Sequence, residues 1–437
     1  MYTWLSSFIN MERGLGGGPS SAAEEHFKLD RIRELAGLAG NPELSAPVIH
    51  IAGSKGKGSV TAMIASVLET AGIKTARYMS PHVSDWRERI SRGDGTFFPD
   101  AIYAEAGEEL RQIYESYREF KNGAGINQKT GVHSELYSGE PTFFELMTLL
   151  FFLCARRENC KAMVVETGLG GRLDATNIVN SAVSVITVIE KEHTEYLGDT
   201  LTKIAREKAG IIKQNRPVVS AEQEAEVLAV LRQKALELNA PFTYVTEGIN
   251  VPNMQLKGSV HEYNAALAVR AVRLAFPGID ETSVIKGLQE VTLPARFETI
   301  KTGPPFVIDG AHTPLSVALC VKTFFELYGN GGILIFGCAA DKDSASMAEI
   351  LLPHFSYCVI TSTGTFRASD PDSVYKTFCS ALKQDAAGEQ NTVIDFMPDT
   401  KTAIDKVTEL SKEKNLPVLG CGSFYLAAEI RKAILPL

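Results

Sequence analysis

Lysines, carboxylates, hydroxyls and a histidine with chemical potential recur in this sequence just after apolar runs. The segment VIHIAGSKGKGSVTAMIASVLETAG, residues 48–72, puts two lysines and three glycines between a β-branched run and an apolar helical pattern. Glycines at such a junction let the backbone turn its N–H groups inward, and a helix start adds partial positive charge. A lysine followed closely by a hydroxyl residue, here Lys57 and Ser59, supplies a phosphate contact and an oxygen ligand for magnesium. Gly56-Lys57-Gly58-Ser59 therefore reads as a phosphate cradle. In the common P-loop the lysine directly precedes Ser or Thr, whereas Gly58 intervenes here. An ordinary glycine-rich turn with solvated Lys55 and Lys57 is the plain alternative.

Three further strand ends carry polar chemistry. AMVVETGLGGRLDATN (162–177) ends an apolar run in Glu166, and VSVITVIEKEHTEYLG (183–198) ends one in Glu190-Lys191-Glu192-His193. ARYMSPHVSDWRERI (76–90) offers Ser80 and His82. Ligands in open α/β sheets gather outside the carboxyl ends of strands, so these sites face the same region as the phosphate loop. Hydroxyl, carboxylate and imidazole from neighbouring strand ends suit a magnesium shell beside ATP phosphates. Taken singly, a strand-end glutamate is often only exposed and a lone histidine is usually structural.

The elements that must position these groups alternate in type. Strands are predicted at 48–51, 162–166, 183–189, 217–220, 306–309, 332–336, 357–361, 392–396 and 417–420, with helical patterns in many of the intervals. That alternation marks parallel sheets with crossover helices. At 437 residues the chain exceeds what one core usually supports. The proline-rich stretch TLPARFETIKTGPPF (292–306) divides it into domains 1–296 and 297–437. Polar, Gly-rich EFKNGAGINQKTGVHSELYSGEP (119–141) reads as a long surface loop. The apolar run FFELMTLLFFLCA (143–155) is too short to span a bilayer and reads as a buried helix.

Bulk composition narrows the functions. A net charge of −8 offers no global basic field for nucleic acid or an anionic membrane. The N-terminus lacks a signal-peptide pattern, and seven cysteines without metal-like spacing suggest reduced thiols, so a cytoplasmic protein is expected. Cys421, between Gly420 and Gly422, reads as an inert structural thiol.

Eight segments in order resemble the folylpolyglutamate synthase/dihydrofolate synthase family of the Mur ligase superfamily. They are IHIAGSKGKGSV, SPHVSDWRERI, TFFELMTLLFF, VETGLGGRLDATNIV, EHTEYLGDTLTKIAREKAGIIK, LPARFE, VIDGAH and GSFYLAAEI. The resemblance implies an α/β, Mur-ligase-like fold: a P-loop-containing ATP-binding domain followed by a smaller Rossmann-like domain. It implies an ATP-dependent ligase that phosphorylates the carboxylate of dihydropteroate or a reduced folate, then couples it to L-glutamate. Small molecules would be the partners, with the protein a monomer.

Carried over by position, Gly56, Lys57, Gly58 and Ser59 would hold the ATP phosphates, and Ser80, Glu166 and His193 would bind magnesium. Lys208 in AREKAGIIK matches the family's carbamylated lysine, which holds a second magnesium. Asn264 would meet the adenine, Arg296 the phosphates and Asp309 the ribose, with His312 close to the nucleotide. ATP is then expected at the junction of the domains, which close upon it. The chain departs from the family at Ser54-Lys55, Glu192, Ala295 and Thr313, where Thr-Asn, Asp, Gly and Asn are usual. A superfamily ligase with another carboxylate acceptor, or a nucleotide-binding scaffold without ligase activity, are the competing expectations.

Overall fold

A computed structural model describes residues 1–10, 29–122, 139–364, 369–384 and 392–435 of the chain. They form two compact units. The first comprises Met1–His82, Trp86–Gln255 and Ser259–Val291; the second comprises Thr292–Leu437 with the short segments Val83–Asp85 and Leu256–Gly258.

The first unit is built on a seven-stranded sheet in the order β3-β2-β4-β1-β5-β6-β7. Its strands are β1 Val48–Ala52, β2 Thr75–Tyr78, β3 Ile90–Arg92, β4 Ala162–Glu166, β5 Val183–Ile186, β6 Val218–Ser220 and β7 Phe242–Tyr244. Only β3 pairs antiparallel; the other pairings are parallel. β1 lies centrally between β4 and β5, in register Ile51↔Glu166 and Ile51↔Val185, and all five of its residues are buried. Such a strand needs no polar face, which explains the Val48, Ile49 and Ile51 that flank His50. The helix Lys57–Thr70 that follows is buried on most sides, covered by helices Ser259–Ala275 and Glu281–Glu290. The run at 143–155 lies in the helix Phe143–Arg157. Thr142 and Glu145 close its start as a capping box, and Arg31 Nε reaches both Glu145 oxygens at 3.0 Å. Among the described residues no helix is long and apolar enough to cross a membrane.

The second unit holds a six-stranded sheet, β12-β11-β10-β13-β9-β8. These are β8 Glu298–Thr302, β9 Pro305–Ile308, β10 Gly332–Phe336, β11 Phe355–Ile360, β12 Val393–Phe396 and β13 Val418–Cys421. β8 pairs antiparallel to β9 and the remaining pairs are parallel. Apolar clusters fill both faces of this sheet, one around Phe324, Phe336 and Phe355, the other around Ile333, Ile335 and Leu426. The seven cysteines are all free thiols. Burial raises Cys421 well above the ordinary thiol value, consistent with an inert structural role.

Several expectations need correction. β5 stops at Ile186 instead of 189, because the chain turns there to bond the phosphate loop: Val188 O accepts the N–H groups of Ser54 and Lys55. β3, β7 and β8 were not expected, and β2 was implied only by the strand end at Ser80. They are short or lie at sheet edges, and β2 carries the buried Arg77, whose Nε donates to Ser91 Oγ at 3.2 Å. The helix Asp100–Asn122 runs into the expected loop, so 119–122 are helical. Residues 123–138 of that loop lie outside the described residues.

Candidate active site

The phosphate loop leaves β1 and enters the Lys57–Thr70 helix through Gly56, whose φ of 86° is left-handed. A Cβ on Gly56 would meet Asn264 Oδ1 at 2.7 Å, and one on Gly53 would lie 1.8 Å from Thr187 Oγ1. Only glycine fits at either position. Ser54 stitches the loop to the next strand end: its Oγ donates to Glu190 O at 3.1 Å and accepts Glu190 N–H at 3.0 Å. Serine thus makes through its hydroxyl the bond a threonine could also make. Lys55 uses its backbone N–H on Val188 O, whatever its side chain. Asn264 is buried, and its Nδ2 has no hydrogen-bond partner. A buried amide donor left open beside a phosphate loop is a feature to be explained by a ligand.

Ser80 and Glu166 come together at neighbouring strand ends. Ser80 N–H points to Glu166 Oε2 at 3.3 Å. A Cβ on Gly58 would lie 3.6 Å from the same oxygen, so Glu166 stands at the first turn of the phosphate-loop helix, where Ser59 is also buried. His82 is committed elsewhere. Arg89 Nε donates to its Nδ1 at 2.8 Å, which leaves a neutral ring with its proton on Nε2.

Lys208 lies on the helix Leu201–Ala209 and is 1% exposed. Its Nζ donates to Gly53 O and to Glu192 Oε1, both at 2.8 Å. Lys57 Nζ also reaches Gly53 O, at 2.9 Å. Two ammonium groups thus share one loop carbonyl. Burial first, then the Lys57 charge, draws Lys208 down to about 8, against the pull of Glu192. Burial pushes Glu192 up, but the Lys57 and Lys208 charges overcome it and hold its carboxyl at about 2. Glu192, one methylene longer than the usual aspartate, is the side chain that turns inward. His193 is exposed, with a left-handed φ of 46° at the start of the turn Thr194–Leu197. Ser80 thus stands with Glu166, and Lys208 with Glu192, beside which His193 follows in the chain. Among the described residues no three of His, Cys, Asp and Glu gather as a metal cluster.

In the second unit, Arg296 sits between Ala295 and Phe297, which carry φ of 53° and 47°. Left-handed backbone at non-glycine residues persists only where surroundings over-determine it. They do so here. Asp309 Oδ2 accepts Phe297 N–H and its Oδ1 accepts Ala311 N–H, each at 2.7 Å; Glu298 Oε2 accepts Ala295 N–H at 2.9 Å. Asp309 Oδ2 therefore holds the Arg296 turn, while Oδ1 fixes the loop that follows Asp309. Burial raises the Asp309 pKa, against the Arg296 charge and these two N–H bonds. The Arg296 guanidinium lies over the Phe424 ring at 4.2 Å from its centroid, and the His312 ring lies 5.9 Å from that ring. His312 Nδ1–H donates to Gly310 O at 2.8 Å. Thr313 caps the helix Pro314–Tyr328 with Ser316, which accounts for its replacing asparagine, another good capping residue. Phe424 was not singled out from the sequence. Its only signal was its place in GSFYLAAEI, where an aromatic residue reads as core.

The first unit thus carries the groups of a phosphate-loop nucleotide-binding protein, with a charged cluster suited to activating a carboxylate. Residues 295–424 match the family described as Mur ligase, glutamate ligase domain. The chain is 29% identical over 436 residues to a dihydrofolate synthase/folylpolyglutamate synthase of Bacillus subtilis, covering 93% of this chain and 94% of that one. It is 31% identical over 429 residues to a probable dihydrofolate synthetase of Schizosaccharomyces pombe, covering 92% and 97%. Among solved structures, E. coli FolC in complex with DHPP and ADP superposes with a TM-score of 0.78 at 25% identity, covering 99% of this chain and 97% of that one. The chain belongs to the folylpolyglutamate synthase/dihydrofolate synthase family.

Proposed function

We propose that this chain is an ATP-dependent ligase that joins L-glutamate to the carboxylate of dihydropteroate, of a reduced folate, or of both. The observation that carries the reading is the convergence of Lys57 and Lys208 on Gly53 O beside Glu192, directly at the phosphate loop. Carboxylates are poor electrophiles. Transfer of the ATP γ-phosphoryl group to the acceptor carboxylate gives an acyl phosphate, and attack by the glutamate amine expels inorganic phosphate. The protein's part is positioning and charge neutralisation. In this reading residues 1–296 form the ATP-binding domain and 297–437 the smaller C-terminal domain, and the protein is a cytoplasmic monomer.

The loop Gly56–Ser59 offers backbone N–H groups and the Lys57 charge to the phosphates. Asn264, with its open donor beside Gly56, is assigned to the adenine. Arg296 and His312 are assigned to the nucleotide, and Asp309, assigned to the ribose, acts at least in shaping the Arg296 turn. The Glu166 carboxylate and Ser80 hydroxyl fit magnesium, a cation that favours hard oxygen ligands. When bound, magnesium would neutralise phosphate charge. His193 is its remaining assigned ligand. Lys208 meets the requirement of carbamylation, a buried amine drawn toward neutrality. The adduct would set a second anion beside Glu192, an arrangement that a divalent cation favours.

Mass spectrometry of products formed from dihydropteroate and from tetrahydrofolate, each with ATP, magnesium and glutamate, tests the reading. A mass gain of one glutamyl residue with either acceptor supports it. No gain with either, in a protein that still binds ATP, returns the chain to a different acceptor or to a scaffold.

A further inference from the structure

A polar histidine in the middle of a fully buried strand is costly unless something uses it. His50 on β1 is fully buried, as is Thr176, and Asp174 is 5% exposed. His50 Nε2 lies 2.8 Å from Thr176 Oγ1, and Thr176 Oγ1 donates to Asp174 Oδ1 at 2.5 Å. A hydroxyl has one proton to give, so Thr176 must accept from His50 Nε2–H. His50 Nδ1 has no hydrogen-bond partner, which fits a neutral ring. Asp174 Oδ2 then accepts Leu169 N–H at 2.8 Å, inside the glycine turn that follows Glu166.

That turn is docked on the helix carrying Lys208. Arg172 N–H donates to Glu207 O at 2.7 Å, and a Cβ on Gly171 would lie 2.9 Å from Glu207 O and 3.1 Å from Lys208 O. Lys208 Nζ in turn holds Gly53 O, the first residue after β1. The contacts close a ring: β1, His50, Thr176, Asp174, the turn, the Lys208 helix, and back to the phosphate loop.

We propose that His50 and Thr176 are positioning residues, a buried relay that fixes the 168–171 turn and so sets where Glu166 and Lys208 stand relative to the phosphate loop. The relay rests on the ligase reading for its kinetic consequence. It touches no substrate. Its effect is on turnover, because small displacements of reacting groups are expensive while the phosphate loop itself stays intact.

The test compares Thr176→Val, which keeps the shape and removes the hydroxyl, with Thr176→Ser, which keeps the hydroxyl. Thr176→Val should lower kcat by about tenfold or more while the KM for ATP stays within about threefold. Hydrogen exchange at the Leu169 amide should accelerate in the same variant. Thr176→Ser should restore both to within about twofold of wild type. Wild-type kcat and Leu169 exchange in Thr176→Val would overturn the relay, as would equal loss in both variants. Should Thr176→Val fail to fold, long-range 1H–15N spectra of the wild type decide. They should show His50 protonated on Nε2 alone and not titrating between about pH 5 and 8; a proton on Nδ1, or titration in that range, overturns the relay. Absence of ligase activity in the wild type would instead refute the ligase reading, while the exchange and tautomer measurements still judge the relay.

Discussion

Around Gly53 the first unit gathers two ammonium groups on one carbonyl, one of them also held by the Glu192 carboxylate, whereas the turn at Arg296 in the second unit is fixed by backbone N–H bonds across two left-handed residues. The first arrangement is ionic and buried, so its parts lean on one another's charge. Removing one charge leaves its partners uncompensated. The second stores its cost in φ angles, and the aspartate and glutamate that hold it act through N–H groups. Charge deletions should therefore strike the first region hard, while the second should respond mainly to backbone changes, and mildly.

Lys57→Ala is expected to have the largest effect, a loss of turnover of at least about a hundredfold, near 2.7 kcal/mol in the barrier, with the fold retained. Circular dichroism and steady-state assays check it; near-normal catalysis by the folded variant would remove Lys57 from the phosphate site. Lys208→Ala should follow with a loss of about tenfold to a hundredfold, partly restored by formate or acetate filling the vacated oxygen site. Full activity without additive would separate Lys208 from the chemistry.

A third expectation concerns stability against pH. Burial, with the Lys213 charge adding to it, drives the His50 pKa well below its ordinary value. Below about pH 6.5 the unfolded chain therefore binds a proton that the folded chain does not. Stability falls as pH falls through that region. Between pH 7 and 5 the wild type should lose more stability than His50→Gln, which has no such group. Parallel denaturation curves for the two proteins would contradict the buried neutral imidazole. Lys55→Asn should change kinetic constants by less than about tenfold, because the loop uses the Lys55 backbone N–H on Val188 O. A larger loss would give its side chain a role in the site.

The smallest effect is expected in the second unit. Ala295→Gly relieves a φ of 53° but loosens the unfolded chain, so the net gain in stability should lie between zero and about 1 kcal/mol. A loss greater than that would mean the methyl group packs usefully and the strain account is wrong.

The contrast also explains what could be read from the amino-acid sequence. Gly56, Lys57, Glu166 and Lys208 are legible because they stand at a strand end, a helix start or within an ordered run of family motifs. Ser80 and Glu166 meet as expected. The left-handed φ of His193 ahead of the short helix Thr194–Leu197 gives no signal in the sequence pattern. The strained turn at Arg296 was invisible, because Ala295 and Phe297 carry no propensity for left-handed backbone and only tertiary bonds impose it. β8 escaped for a related reason: Glu298 and Lys301 interrupt the apolar pattern that marks a strand. The relay from His50 to Asp174 joins residues 126 and two positions apart, a spacing that composition cannot reveal.

The central claim is that the acceptor carboxylate passes through an acyl phosphate at this loop. Labelling that carboxylate with oxygen-18 and analysing the released inorganic phosphate tests it most directly. The mechanism leaves one acceptor oxygen on phosphorus, so each phosphate formed in the presence of ATP, magnesium and glutamate should carry one labelled atom. Glutamate-dependent product with unlabelled phosphate would contradict it.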